Sequence, residues 1–458
     1  MADEFLTNLV KRFDDALDAR APAVETYQRY YEGRARLRYA TAKFQEAFGN
    51  MLGELSNNWC SLVVRSSVER LHVSGFRFGV QATSDAEVED DAAWALWQAN
   101  YLDADSELAH STACMTGTAY VLVTPVLDGV PRITVESPLE AITMTAPTDR
   151  RLRMAGYKRW QEDDGASRAV LYMPEAFYVL ARNSNGGAWE QLGPAVPNPT
   201  GIVPLVPMLN MPELTESGVA GVSDLQPVLP LQDAINKLLA DMLVNSEFVA
   251  FPQRWVTGVE IPLDDAGEPL PREQFMSAVD RLWVAEEPDA NFGSLPGDDG
   301  KGYVSQMDAL KQDLAAITST PPHYLTAGLG QWPSGESLTA TESGLVAKVK
   351  RKQITFGEAW EEAMRLGFLF MGDETRGNAT QAEVIWTDPE RRQEGELVDA
   401  LVKMRTLSVP LEVLWERWGA SPQEIDLWRR QRGLPDNAAG EPTSPSPPPE
   451  QVPRPEEG

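Results

Sequence analysis

The sequence is poor in the residues that most often announce chemistry. Only two cysteines occur, Cys60 and Cys114, too few for a disulfide framework and in keeping with a reducing compartment. The three histidines, His72, His110 and His323, are far apart, and no CxxC or HxxxH spacing exists, so a zinc site is not expected. No apolar run reaches membrane-spanning length, and the first twenty residues are amphipathic and mixed in charge, unlike a secretion signal. Basic residues are scarce: 40 Lys and Arg stand against 68 Asp and Glu, a net charge of −28. Such a surface repels nucleic acid at long range and argues against tight, salt-sensitive DNA binding, though not against a protein that lets DNA slide past. A soluble protein, cytoplasmic or part of an assembly, is expected. No G-x-S-x-G elbow surrounds any serine, and no catalytic site, metal site or cofactor is expected.

What is present is a dense glycine cluster. The stretch PPHYLTAGLGQWPSGESLTATESGLVAKVKRKQ runs from Pro321 to Gln353 and sets Gly328, Gly330 and Gly335 ahead of a helical pattern. A phosphate-binding loop of the form G-x-x-x-x-G-K-[ST] needs a lysine directly after its last glycine, but Glu336 stands there. No alternating strand precedes the glycines either, which removes the dinucleotide-binding pattern. What remains is a connection between two helices.

Periodicity divides the chain. Residues 3–115 read as mostly helical, with Trp94, Trp97, Tyr101, Leu108 and Cys114 near helical spacing. From 118 to 192, short β-branched and aromatic runs alternate with Gly, Pro and Asp turns, predicting an antiparallel sheet. A proline-rich connection follows at 193–220. A long helix is predicted after Asp224 or Ser223 as cap, with Val228, Leu231, Ile235, Leu238 and Met242 on one face. An acidic, irregular segment at 252–300 holds two strand candidates, QRWVTG and DRLWVAE. A second helix runs to the Pro321–Pro322 stop, and the longest helix covers about 337–370, with Leu345, Val349, Phe356, Trp360 and Ala363 as its apolar stripe. One late strand, AEVIWTDP, and two or three short helices end the folded part; 434–458 is proline-rich, nearly free of apolar side chains, and reads as disordered.

In this order the blocks resemble the portal proteins of tailed bacteriophages, in particular the SPP1-type family seen in many actinobacterial phages. The resemblance rests on YYEGRARLRYA (30–40), NWCSLVVRSSVERLHVSGFRF (58–78), ELAHSTACMTGTAYVLV (107–123) and, most specifically, GVSDLQPVLPLQDAINKLLADMLVNSEFVAFPQRWVTG (221–258). It implies an α+β portal fold. Residues 1–220 would form the wing: helical over 1–117, β-rich over 118–192, then the proline-rich 193–220. Stem helices would lie at 221–251 and 301–322, a clip at 252–300, a tunnel loop at 323–338, a long helix returning to the wing at 339–390, and a crown at 391–433.

The resemblance gives the glycine cluster a mechanical role. Gly328, Gly330, Ser334 and Gly335 have little bulk, and Gln331 and Trp332 are the large side chains near the tip of the implied tunnel loop. Lys348, Lys350, Arg351 and Lys352 form a basic cluster in an acidic chain; it reads either as a solvated helix face or as a DNA-facing one. Lys350 and Arg351 lie off the apolar stripe, whereas Lys352 falls close to it. Asp264 and Asp265 would contact partners from the clip, although such aspartate pairs also suit ordinary turns. The implied assembly is a dodecameric ring at the capsid vertex, in host cytoplasm during assembly and then in the virion. Double-stranded DNA would pass through it, with terminase large subunit, head-completion or adaptor protein, major capsid protein and scaffolding protein as partners, and no membrane. Two other readings stand beside it. A packaging motor or nuclease would need a P-loop or a clustered acidic metal site; a non-channel virion or adaptor protein would not form a closed ring.

Overall fold

A computed structural model of the chain describes residues 2–35, 37–39, 46, 57–79, 90–127, 129–183, 187–215, 218–250, 254–258, 289–294, 300–325, 335–390, 394–418, 420 and 422–432. Among these residues helix predominates over strand, and every strand pairs antiparallel.

The first helix, α1 (Ala2–Tyr31), buries Leu9, Val10, Phe13, Leu17 and Val24, spaced to lie along one side. Its N-terminal half covers a six-stranded sheet built from β4 (Ala141–Ala146), β5 (Asp149–Gln161), β6 (Ser167–Tyr172), β7 (Ala176–Arg182), β8 (Glu190–Gln191) and β9 (Val196–Pro197). Phe13 stacks on Tyr157 of β5 with centroids 5.4 Å apart. Beside them Asp14 accepts hydrogen bonds from the Tyr157 hydroxyl at 3.0 Å, Arg159 at 2.9 Å and Trp189 Nε1 at 2.7 Å. Helix and sheet are therefore joined by an apolar contact with a polar pin through it. Asp163 and Asp164 sit in the turn between β5 and β6, where Asp164 accepts from the Ala166 N–H at 2.8 Å.

A second, larger core gathers around the longest helix. Helices α2 (Trp59–Val68), α3 (Asp91–Ala99) and α4 (Leu102–Thr116) meet the three-stranded sheet of β2 (Thr118–Leu127), β3 (Val130–Glu136) and β10 (Leu205–Leu209). Through this core runs α8 (Gly335–Met371), a helix of 37 residues and about 55 Å. Its expected stripe is buried: Leu345, Val349, Phe356, Trp360 and Ala363. Trp360 packs edge-on against Trp97 at 5.0 Å, and its Nε1 donates to His110 Nε2 at 2.9 Å. Burial pushes the His110 pKa down to about 3, so the ring is neutral and can accept. A two-stranded ladder closes this core: β1 (Val73–Arg77) pairs with β15 (Glu383–Trp386), the predicted late strand.

The region between 221 and 322 is a helix pair. Helix α5 (Leu229–Ala250) packs against α6 (Lys301–Thr318), and the hairpin of β13 (Arg254–Thr257) and β14 (Asn291–Ser294) caps the end where α5 runs out. The QRWVTG strand is thus present, whereas DRLWVAE lies outside the described residues. A short turn of helix, α7 (Pro322–Leu325), and α9 (Glu374–Gly377) flank α8; β11 (Glu213–Thr215) and β12 (Gly218–Ala220) form a small hairpin before α5. Last come α10 (Glu394–Thr406), α11 (Leu411–Trp418) and α12 (Pro422–Gln431), which pack on one another in sequence.

Candidate functional site

The residues that bracket the glycine cluster are held by two buried polar groups, the first spanning both sides of it and the second on the α8 side. Tyr324 lies in α7, immediately before it, and Glu342 in the second turn of α8, after it. Both are joined to Arg70, at the end of α2: its guanidinium donates to the Tyr324 hydroxyl and to Glu342 Oε2, each at 3.0 Å, and to the Pro389 carbonyl at 3.1 Å. Burial alone would lower the Arg70 pKa, but Glu342 and Tyr324 more than offset it. His323 Nε2 stands 3.6 Å from Glu342 and its ring sits edge-on to Tyr324. It belongs to the short helix that follows the Pro-Pro stop.

Nearly two and three turns beyond Glu342 along α8 lies the second group. Lys352 is 0 % exposed; its Nζ donates to Asp224 Oδ2 at 2.8 Å, to Cys114 Sγ at 3.2 Å and to Asn210 Oδ1. Lys348, 13 % exposed, reaches the same Asp224 oxygen at 3.3 Å and the Thr318 carbonyl at 3.3 Å. Thr318 ends α6, so this cation also sits at the negative end of a helix. Asn210 Nδ2 donates to Asp224 Oδ1 at 3.2 Å and to the Val222 carbonyl at 2.7 Å. Burial works against every charge here. Lys348 and Lys352 nonetheless hold Asp224 below the ordinary carboxylate range, and Cys114 and Asp224 hold Lys352 above the ordinary lysine range.

This group joins α4, β10, the entry to α5, the end of α6 and the start of α8. Packing beside it allows no side chain at two positions. Gly117 ends α4 at φ +91°, and a Cβ there would lie 2.6 Å from the Gly221 carbonyl oxygen; a Cβ on Gly221 would lie 1.8 Å from the Gly117 oxygen. Only two glycines let these backbones cross. Below the crossing, α5 carries buried Gln232, Asp233 and Asn236. Asp233 accepts from the Tyr30 hydroxyl at 2.6 Å and Gln232 from the Trp59 N–H at 3.0 Å, so the helix is tied to α1 and α2 as well.

The expected basic cluster must therefore be corrected. Lys352 does not face DNA: it occupies a position of the apolar stripe, between Val349 and Phe356, and its charge is neutralised inside the subunit. Lys348 is mostly covered by the same ion pair. Lys350 and Arg351 are exposed, as their positions off the stripe implied. Neither Ser223 nor Asp224 caps α5, which begins only at Leu229; Ser223 Oγ instead accepts the Leu225 N–H at 3.0 Å in the turn that leads into it. Gly335 opens α8. Gly328, Gly330, Gln331, Trp332, Ser334, Asp264 and Asp265 lie outside the described residues, as does the tail from 433.

Sequence reading passed over Arg70, Asn210, Cys114 and Glu342. The one signal available for Lys352 was spacing, since 345, 349, 352, 356, 360 and 363 step by three and four along one helix face. Among the described residues no three His, Cys, Asp or Glu side chains could hold a metal ion, and no helix is long and apolar enough to cross a membrane.

Comparison with known proteins matches residues 10–433 to the family described as phage portal protein, SPP1 Gp6-like. The portal protein of Mycobacterium phage L5 is 30% identical over 359 residues, covering 75% of this chain and 71% of the relative. The portal protein of Mycobacterium phage D29 is 30% identical over 358 residues, with the same coverage. The mixed helix and antiparallel-sheet fold is consistent with the α+β fold of that family. The chain belongs to the SPP1 Gp6-like family of phage portal proteins, structural subunits of the capsid vertex through which DNA is packaged.

Proposed function

We propose that this chain forms a dodecameric ring in which segment 323–338 lines the narrowest part of the DNA channel while its two ends stay fixed to the body of the subunit. The observation that carries this reading is the double anchorage of the segment: Arg70 holds Tyr324 and Glu342, and Asp224 with Thr318 holds Lys348. A channel segment must yield to passing DNA without loosening the ring, and a hydrogen bond at Tyr324 before it and buried ion pairs at Glu342 and Lys348 after it tie both ends to the body of the subunit. In the same reading α5 and α6 are the stem, the segment between them is the clip, and α10–α12 are the crown.

The clip, through Asp264 and Asp265, would dock the terminase large subunit during packaging and a head-completion or adaptor protein afterwards. Major capsid and scaffolding proteins would meet the wing, and assembly would take place in the host cytoplasm. The chain would hydrolyse no nucleotide itself: Glu336 replaces the phosphate-binding lysine. Lys350 and Arg351 are the exposed cations of the basic cluster and would face the channel. Few phosphate contacts suit a conduit, since each adds affinity and so resists sliding.

The test is a paired measurement on Gln331→Ala/Trp332→Ala particles: ring formation by light scattering, and packaged DNA per particle. Intact rings with altered DNA content support the channel role. Lost rings with normal packaging in the residual particles would make Trp332 a subunit contact and end the assignment.

A further inference from the structure

Helices α10–α12 fold around a groove of about 480 Å³. Val398, Leu401 and Val402 of α10 line one side, and Trp415 of α11 and Trp428 of α12 the other. Trp428 stands edge-on to Trp415 at 5.4 Å and tilted against Trp418 at 5.8 Å, and all three indoles line the groove. The groove is open: Val402 is 57 % and Trp418 49 % exposed. Apolar surface left in water on this scale usually has an occupant. Two cations, Arg405 and Arg432, stand on the rim, the second with its guanidinium 5.4 Å from the Trp415 ring centre.

The chain leaves from this same rim. Arg432 lines the groove, and residues 433–458 follow it with eight prolines and five carboxylates against one arginine. Proline-rich segments favour the extended polyproline II conformation and dock on aromatic floors at low entropic cost. Residues 433–441 can span up to about 30 Å, and the eight residues from Pro442 to Pro449 extend about 25 Å as polyproline II, so the tail reaches a groove that begins at its own tether. Charge agrees as well, acidic tail against basic rim.

We propose that tail segment Pro442–Pro455 docks on the tryptophan groove of its own chain, prolines against Trp415, Trp418 and Trp428, with Glu441 and Glu450 toward Arg405 and Arg432. Composition alone marks this tail as unable to build a core of its own; the groove supplies one. Tethering sets an effective concentration of about 1 mM, so an intrinsic Kd of about 100 µM suffices for about tenfold occupancy over the open state.

The test uses full-length rings and alters only the tail, because changing Trp415 could unfold α10–α12. Hydrogen exchange across 398–431 is compared between the natural chain and a Pro447→Gly/Pro448→Gly/Pro449→Gly variant. Docking predicts exchange roughly five- to tenfold faster in the variant, matching that tenfold occupancy. A photo-crosslinker at position 448 then reports the site, in rings mixed from isotopically light and heavy chains. Crosslinks to α11 and α12 without light–heavy pairs support the proposal. Unchanged exchange overturns it, and so do crosslinks elsewhere. Light–heavy pairs would also overturn it, assigning the groove to a neighbouring copy's tail.

Discussion

Lys352 Nζ and Asp224 Oδ2 meet at 2.8 Å across 128 residues of sequence, inside a core that exposes neither side chain beyond 4 %. The pair is not isolated, since Lys348 shares the same carboxylate and three neutral groups complete the coordination of the two lysines. Removing Asp224 would therefore strand two cations at once. Asp224→Ala should cost about 3–5 kcal/mol, whereas Lys352→Met, which leaves Asp224 paired with Lys348, should cost much less. Urea titration of both variants checks the order; equal losses would show that the carboxylate is not the hub.

The same pair sets outer limits on pH tolerance. Asp224 titrates below its ordinary value of 3.8 in the fold, so its contribution is complete above that value and is lost as pH falls through the lower folded pKa. Lys352 titrates above 10.5, so its contribution is complete below that value and is lost as pH rises through the higher folded pKa. Differential scanning fluorimetry should give an alkaline decline in Tm that is shallower in Lys352→Met than in the natural chain.

His110 acts between those limits. Its folded pKa of about 3 lies below the ordinary 6.5, so the unfolded chain binds the proton first and stability falls as pH drops through that window, by up to roughly 1.4 kcal/mol per pH unit. His110→Phe should flatten the acid limb while lowering neutral-pH stability, because Trp360 Nε1 loses its acceptor. An unchanged acid limb would show that His110 does not set the acid sensitivity.

Gly117 and Gly221 offer a steric test. Gly221→Ala places a methyl 1.8 Å from a backbone oxygen and should abolish soluble folded protein; Gly117→Ala should destabilise by more than about 3 kcal/mol. Gly129 has the same φ of +91° with nothing within 4 Å, so Gly129→Ala should cost only about 1–2 kcal/mol of backbone strain. Thermal melts of the three variants separate crowding from conformation.

Lys350 and Arg351 should behave as surface residues in stability and as channel residues in function. Lys350→Ser/Arg351→Ser is expected to move stability by no more than about 0.5 kcal/mol per site while changing packaged DNA per particle. Normal packaging would return both to an ordinary solvated face.

Most elements were legible in the sequence because their apolar positions repeat with the period of helix or strand: the stripe of α8, the strand runs between 118 and 192, and the late strand all occur near where spacing puts them. What was not legible depends on distant partners. A run of cations reads as surface, and only its meeting with Asp224, Asn210 and Cys114 turns Lys352 inward. Nothing local marks the turn that delays the start of α5 to Leu229, or Arg70 as the clamp on Tyr324 and Glu342. The residues of the tunnel and clip assignments fall largely outside the described part, so their support is the anchorage at their ends.

The β1–β15 ladder has a consequence for synthesis on the ribosome. Phe76 is sealed by a strand whose last residue, Trp386, is translated more than three hundred residues later. At about 5–20 residues per second, the N-terminal half waits roughly 15–60 s with that edge unpaired. Pairing at such separation is also slow in itself. A nascent or truncated subunit thus lacks a closed core around Phe76, and full-length synthesis becomes a built-in checkpoint before any copy can take its place among the others.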